Sequence, residues 1–178
     1  ETLNAICASG TPPLPRFDKL ADDRIPYAAW PRLSGPLDLL VLEGCFLKTP
    51  PQSATELHMP INTLERDEDP QGIWRHWCND ALAHGYPPLW QCIDVLWFLH
   101  PPDFAIVPEW RWQQEQALQA RHPDRHGMTR EQIVRFVQFF ERVTRQSLRC
   151  VPAIADRVVH LDRHRRVQGI PRDDNDRH

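Results

Sequence analysis

Residues 37–44 read Leu-Asp-Leu-Leu-Val-Leu-Glu-Gly, a nearly unbroken apolar run closed by a carboxylate and a glycine. A run of this length fits a strand of a parallel sheet covered on both faces, although periodicity alone does not separate it from a buried helix segment. A second run, Ile-Asp-Val-Leu-Trp-Phe-Leu at residues 93–99, follows after a helical stretch. Two such strands joined through a helix make a right-handed parallel unit. In open α/β sheets ligands sit beyond the carboxyl ends of the strands, where Glu43 would stand. Gly44 lets the backbone turn sharply or approach a ligand closely. Taken alone, these eight residues allow two readings: an acidic group beside a metal-bound phosphate, or an acidic strand terminus with an ordinary turn glycine.

The 178 residues suffice for one domain with a substantial core. Apolar content of 41% and charged content of 25% fit a soluble globular chain. A net charge of -3 argues against a general nucleic-acid or anionic-membrane binder. No apolar run reaches the roughly 20 residues that span a bilayer. The five cysteines are dispersed and lack a C-x-x-C pair, so a reduced, cytoplasmic setting is expected. Eighteen prolines fall mostly between the apolar runs and punctuate them. The chain opens at Glu1 in what reads as the tail of a helix over residues 1–8, without a signal-peptide pattern. It is expected to be a segment of something longer.

Along the chain, residues 14–17 fit a short edge strand, where proline is tolerated. Residues 18–24 form a charged loop, and residues 61–67 a short helix. Asp69-Pro70 offers an N-cap with proline at the first helical position. The helix it opens, residues 70–83, would bury Ile73, Trp74, Trp77, Cys78, Ala81 and Leu82. Pro87-Pro88 closes that region. A helix over residues 104–121 carries Arg111 and Glu115 one turn apart. Thr129 caps a helix to residue 148, with Ile133, Phe136, Val137, Phe140 and Val143 on one face and five arginines on the other. Residues 156–161 read as a third strand. The alternation points to an α/β sheet.

Nine histidines raise the question of metal. His122/His126 and His160/His164 are each four apart, but neither pair has the further ligands that zinc needs nearby. A P-loop needs G-x-x-x-x-G-K-[ST]. Lys48-Thr49 follows Leu47 rather than glycine, so the pair is a coincidence and the chain has no P-loop of its own. The loop at residues 18–24 holds three acids and two bases. It reads either as a solvated turn or as a polar pocket in which Lys19 and Arg24 grip an anion and a carboxylate accepts hydroxyl hydrogen bonds. Arg111, Arg142 and Arg145 read either as solvent-facing helix residues or as cations for the charge that develops in phosphoryl transfer.

Several motifs together resemble the D-glycerate 3-kinase-like family of P-loop kinases, relatives of uridine kinase, phosphoribulokinase and bacterial pantothenate kinase. They are Leu14-Pro15-Arg16-Phe17-Asp18-Lys19, Asp22-Asp23-Arg24, Trp30-Pro31, Glu43-Gly44 and Pro51-Gln52. The likeness continues through Pro60-Ile61-Asn62-Thr63-Leu64-Glu65, Trp74-Arg75, Trp110-Arg111-Trp112-Gln113-Gln114-Glu115 and Phe140-Glu141-Arg142-Val143-Thr144-Arg145. The resemblance implies a partial P-loop-kinase-type parallel sheet flanked by helices, over residues 1–166; the charged remainder at 167–178 is expected to be a disordered tail. It implies ATP and Mg²⁺ as cofactors and phosphate transfer to a hydroxyl of a small acid such as glycerate. It places Glu43 at Mg²⁺ and its waters, and Asp18, Lys19, Asp23 and Arg24 at the acceptor. Arg111 is the lid cation, and Arg142 and Arg145 lie on the phosphate side. Cys45 stands where the family has tryptophan, and the glycine often found near Lys48 is absent. The family's Walker A loop, and the strand bearing its catalytic aspartate, would precede Glu1, so the chain by itself is expected to be inactive. The alternative is a binding or regulatory protein that keeps the fold without catalysis.

Overall fold

The computed structural model describes residues 12–18, 23–32, 37–121 and 127–169. The chain divides into two compact units, Glu1–Cys45 and Phe46–His178. The helix expected over residues 1–8 and the end of the tail, residues 170–178, lie outside the described residues.

The first unit is built on a tight hairpin. Strands β1 (Phe17–Asp18) and β2 (Asp23–Arg24) are antiparallel, with Phe17 opposite Arg24 and Asp18 opposite Asp23. Pairing continues outward through the Ile25 amide on the Arg16 carbonyl (3.0 Å), the Leu14 amide on the Pro31 carbonyl (2.8 Å) and a bridge between Pro13 and Arg32. The edge strand expected at residues 14–17 therefore narrows to β1, because Pro13 and Pro15 cannot donate ladder bonds. A 3-10 turn at Tyr27–Ala29 follows, and the Trp30 indole donates to the Ile25 carbonyl at 2.8 Å.

Residues 37–44 correct the sequence reading. They form no strand and their side chains are exposed, Leu39 by 77% and Val41 by 72%. A strand closes its hydrogen bonds only on a neighbour. Among the described residues nothing pairs with this run.

The second unit is mainly helical. Helix α1 (Ala54–His58) opens with a Ser53–Glu56 capping box, and α2 (Thr63–Glu68) is capped by the Asn62 side chain. Helix α3 (Ile73–Asp80) runs into a π-helical turn at Ala81–Gly85 and the short α4 (Pro87–Trp90), which starts at the prolines expected to end the region. Strand β3 (Trp97–His100) leads through a 3-10 turn (Phe104–Ile106) to α5 (Val107–Arg121). Helix α6 (Arg130–Cys150) begins with a Thr129–Gln132 capping box and ends in a 3-10 turn at Val151–Ala153. Strand β4 (Arg157–His160) then pairs in parallel with β3, Trp97 opposite Arg157 and His100 opposite His160. The parallel partner of β3 is thus β4 and, among the described residues, not the run at 37–44. The core follows one face of α6, where Ile133 and Val137 are buried together with Val151, Leu57, Leu64, Leu96 and Val159.

Helix α3 departs from its amphipathic reading. Ile73, Trp74 and Trp77 are exposed, and the buried residue of that helix is Arg75. The start has moved from Pro70 to Ile73, with Gly72 left-handed at the N-cap (φ 74°). Asp69 caps from outside, accepting the amides of Trp74 (2.9 Å) and Arg75 (3.1 Å). The Arg75 guanidinium donates to the carbonyls of Leu57, His58 and Asp69. A side chain at Gly72 would press within 2.9 Å of that guanidinium. Burial raises the Asp69 pKa, but the two amides and Arg75 outweigh it and hold the carboxyl below its ordinary value.

Candidate functional site

Asp18, Asp23 and Arg24, the residues expected at the acceptor, sit on the hairpin of the first unit. Asp18 and Asp23 are directly opposite each other and so share one face, whereas Arg24 pairs with Phe17 on the other. All three are exposed, and the Arg24 amide donates to the Asp23 carboxylate at 2.6 Å. Lys19 lies outside the described residues. Glu43 is exposed, and among the described residues it makes no hydrogen bond or ion pair.

The three candidate arginines, all in the second unit, differ sharply. Arg142 uses every donor it has: Nε and Nη2 clamp the Glu65 carboxylate (2.8 and 2.6 Å), Nη1 reaches Gln52 Oε1 and the Glu56 carbonyl, and Nη2 also reaches the Met59 carbonyl. Arg111 pairs with Glu115 at 2.9 Å and lies over the Phe136 ring. Glu115 is buried and its other oxygen accepts the Met128 amide at 3.1 Å. Arg145 donates through Nε to Glu141 at 2.8 Å and lies over the Phe104 ring, with its side chain 58% exposed. Among the described residues its terminal nitrogens hold no partner.

A pocket of about 480 Å³ opens beyond the carboxyl ends of β3 and β4, lined among others by His100, His160, Arg163 and His164. The two histidine rings lie 5.1 Å apart. Asp162 shapes the following turn by accepting the amides of Arg166 and His164, and the Arg166 amide and guanidinium hold its carboxyl below the ordinary range. The turn is clasped to α5: the Trp110 indole donates to the Arg163 carbonyl, and Arg165 donates to the Trp110 carbonyl and covers its ring. A second, mostly apolar cavity of about 250 Å³ lies between α2, α3 and α6. Its thiol, Cys78, has a pKa raised by burial and by Asp69 and Glu65.

No family model matches the chain. Over 64 residues it is 41% identical to the uncharacterized kinase mug58 of Schizosaccharomyces pombe, a match covering 36% of this chain and 22% of that one. Its structure superposes on D-glycerate 3-kinase from Cryptococcus neoformans with a TM-score of 0.66, at 22% identity, over 95% of this chain and 61% of that one. The chain has the fold of D-glycerate 3-kinase. It also superposes on the YGR205w protein with a TM-score of 0.62 over 94% of its length, at 22% identity and 60% coverage of that protein. The chain therefore spans about three-fifths of these solved structures and about a fifth of the curated relative.

Within the D-glycerate 3-kinase fold, the motifs quoted above acquire places. Trp110 anchors the turn after β4, and Trp74-Arg75 supplies the buried guanidinium of α3. Lys48 and Thr49 are used locally: the lysine Nζ donates to the Ile93 carbonyl at 2.9 Å, and the threonine is buried. Among the described residues no group of three or more histidines, cysteines or acids is placed to hold a metal, and His122 and His126 lie outside them. Sequence reasoning missed the pocket beyond β3 and β4. Its signal was the pair His160 and His164 flanking a strand end, weighed only as metal ligands.

Proposed function

We propose that this chain supplies the C-terminal part of an ATP-dependent kinase that moves the γ-phosphate of ATP to a hydroxyl of a small hydroxy acid such as glycerate. The observation that carries the reading is the D-glycerate 3-kinase fold over 95% of the chain, supported by the sequence match to a protein described as a kinase. Phosphoryl transfer asks a protein mainly for positioning and for cations on the charge that develops. In this reading Asp18, Lys19, Asp23 and Arg24 bind the acceptor, the carboxylates taking its hydroxyls and the cations its carboxylate. Arg111 and Arg145 face the phosphates, since both keep donors open. Arg142, fully engaged by Glu65 and backbone carbonyls, braces the helices beneath them. The pocket beyond β3 and β4 is assigned to the nucleotide, at the sheet edge where α/β proteins take ligands.

Mg²⁺ fits the donor set available. It keeps several waters and needs only one or two carboxylates beside phosphate oxygens, and Glu43 is an exposed oxygen ligand without a partner among the described residues. When bound, the ion neutralises phosphate charge. Lys48-Thr49 does not serve as a phosphate loop in this reading, since the lysine is engaged by the Ile93 carbonyl and the threonine is buried.

The test is phosphotransfer to D-glycerate, followed as ADP release. The 178-residue chain alone should release none, and a longer product carrying the residues encoded before Glu1 should turn over. ADP release by the short chain, or no transfer to any hydroxy acid by the long one, contradicts the reading.

A further inference from the structure

The motif Pro60-Ile61-Asn62-Thr63 has no assigned task in the reading above, yet Asn62 reaches across 79 positions to α6. Its Nδ2 donates to Glu141 Oε2 at 3.1 Å and to the Gln138 carbonyl at 3.0 Å. Its Oδ1 accepts the Glu65 amide at 2.9 Å and caps α2. Glu141 is buried, and its other oxygen, Oε1, takes Arg145 Nε at 2.8 Å. On its far side the Arg145 guanidinium rests over Phe104, 4.8 Å from the ring centroid.

This geometry does more than an ordinary helix pair. An exposed arginine one turn from a glutamate adds little stability and keeps much of its rotamer freedom. Here the glutamate is itself fixed by a donor from another helix, so its Oε1 presents Arg145 in one orientation. The guanidinium is held by its Nε and by one face, and among the described residues its terminal nitrogens hold no partner. Resting on the kinase reading, in which Arg145 faces the phosphates, we infer that Asn62 is a positioning residue for Arg145, acting through Glu141. Without the amide, Glu141 Oε2 loses its donor, the carboxylate can turn, and the guanidinium loses its fixed edge. Preorganised cations are worth most when they need no reorganisation during the reaction.

Asn62→Ser separates the two tasks of Asn62. Serine keeps a capping oxygen for the Glu65 amide and removes the donor to Glu141. In the longer, phosphotransferring protein, N62S should lower kcat about tenfold, with KM for ATP within about twofold, since small misplacements of catalytic groups cost this much. The thermal midpoint should fall by only a few degrees, since two part-buried hydrogen bonds are lost while the cap is kept. Asn62→Thr, with the same capping oxygen, should repeat the result. Arg145→Ala should lower kcat about a hundredfold, and N62S added to R145A should lower it no further. An unchanged kcat in N62S, or the same factor lost in both backgrounds, overturns the relay. An unchanged kcat in R145A overturns instead the placement of Arg145 at the phosphates.

Discussion

Helix α6 and residues 37–44 were the two strongest patterns in the sequence, and only one became the element it promised. Helix α6 has a capping box at Thr129 and an apolar stripe of which Ile133 and Val137 are buried and Val143 half-buried, while Phe136 and Phe140 are exposed. The run at 37–44 has the more uniform apolar character, yet it forms no strand, is unpaired among the described residues, and is exposed. A helix satisfies its backbone within the segment, whereas a strand is completed only by another strand. The periodicity of α6 is therefore nearly sufficient evidence, and that of residues 37–44 is conditional on a partner.

The contrast can be broken by substitution. The largest effect is expected where α6 meets a buried charge. Arg142→Met leaves Glu65 buried without its cation, and removing one member of a buried pair costs about 3–5 kcal/mol. Denaturant unfolding should show a drop of that size, and a drop below about 1 kcal/mol would mean that Glu65 finds water or another donor. Next comes Ile133→Ala, which opens a cavity at a residue with 0% exposure and should cost about 2–5 kcal/mol. Leu39→Ala, in the exposed run, should stay within about 0.5 kcal/mol. Equal losses at the two positions would show that residues 37–44 are buried in solution.

The smallest effect is on pH dependence. The Ser53 amide and then Arg149 push the Glu56 carboxyl from an ordinary 4.5 down to about 2. A depressed carboxyl contributes stability that is complete above pH 4.5 and is lost as pH falls towards about 2. Thermal midpoints of the parent and Glu56→Gln should therefore differ most above pH 4.5 and converge in that window. A constant gap down to pH 2 would remove Glu56 from the account.

What the sequence made legible follows the same division. Thr129 and its helix, the Arg111–Glu115 pair and the strand at 156–161 are local patterns, and they are present. The parallel pairing of β3 with β4 joins segments 60 positions apart, whereas the sequence pattern joined residues 93–99 to the run at 37–44. The rotation of α3 was hidden because it turns on Asp69 and Arg75, and hydrophobic spacing predicts the opposite face. Arg142 and Arg145 are one turn apart and look alike as letters. Only their neighbours, Glu65 and backbone carbonyls for one and Glu141 with Phe104 for the other, tell a brace from an open cation. The link from Asn62 to Glu141 was beyond any local pattern.

The proposed kinase site rests most heavily on Glu43 as its metal-side carboxylate. The direct measurement is ADP release with D-glycerate by the longer protein and by its Glu43→Gln variant. The account predicts turnover in the parent and a loss of about 100-fold or more in the variant, with the thermal midpoint nearly unchanged. Equal turnover in both would contradict it.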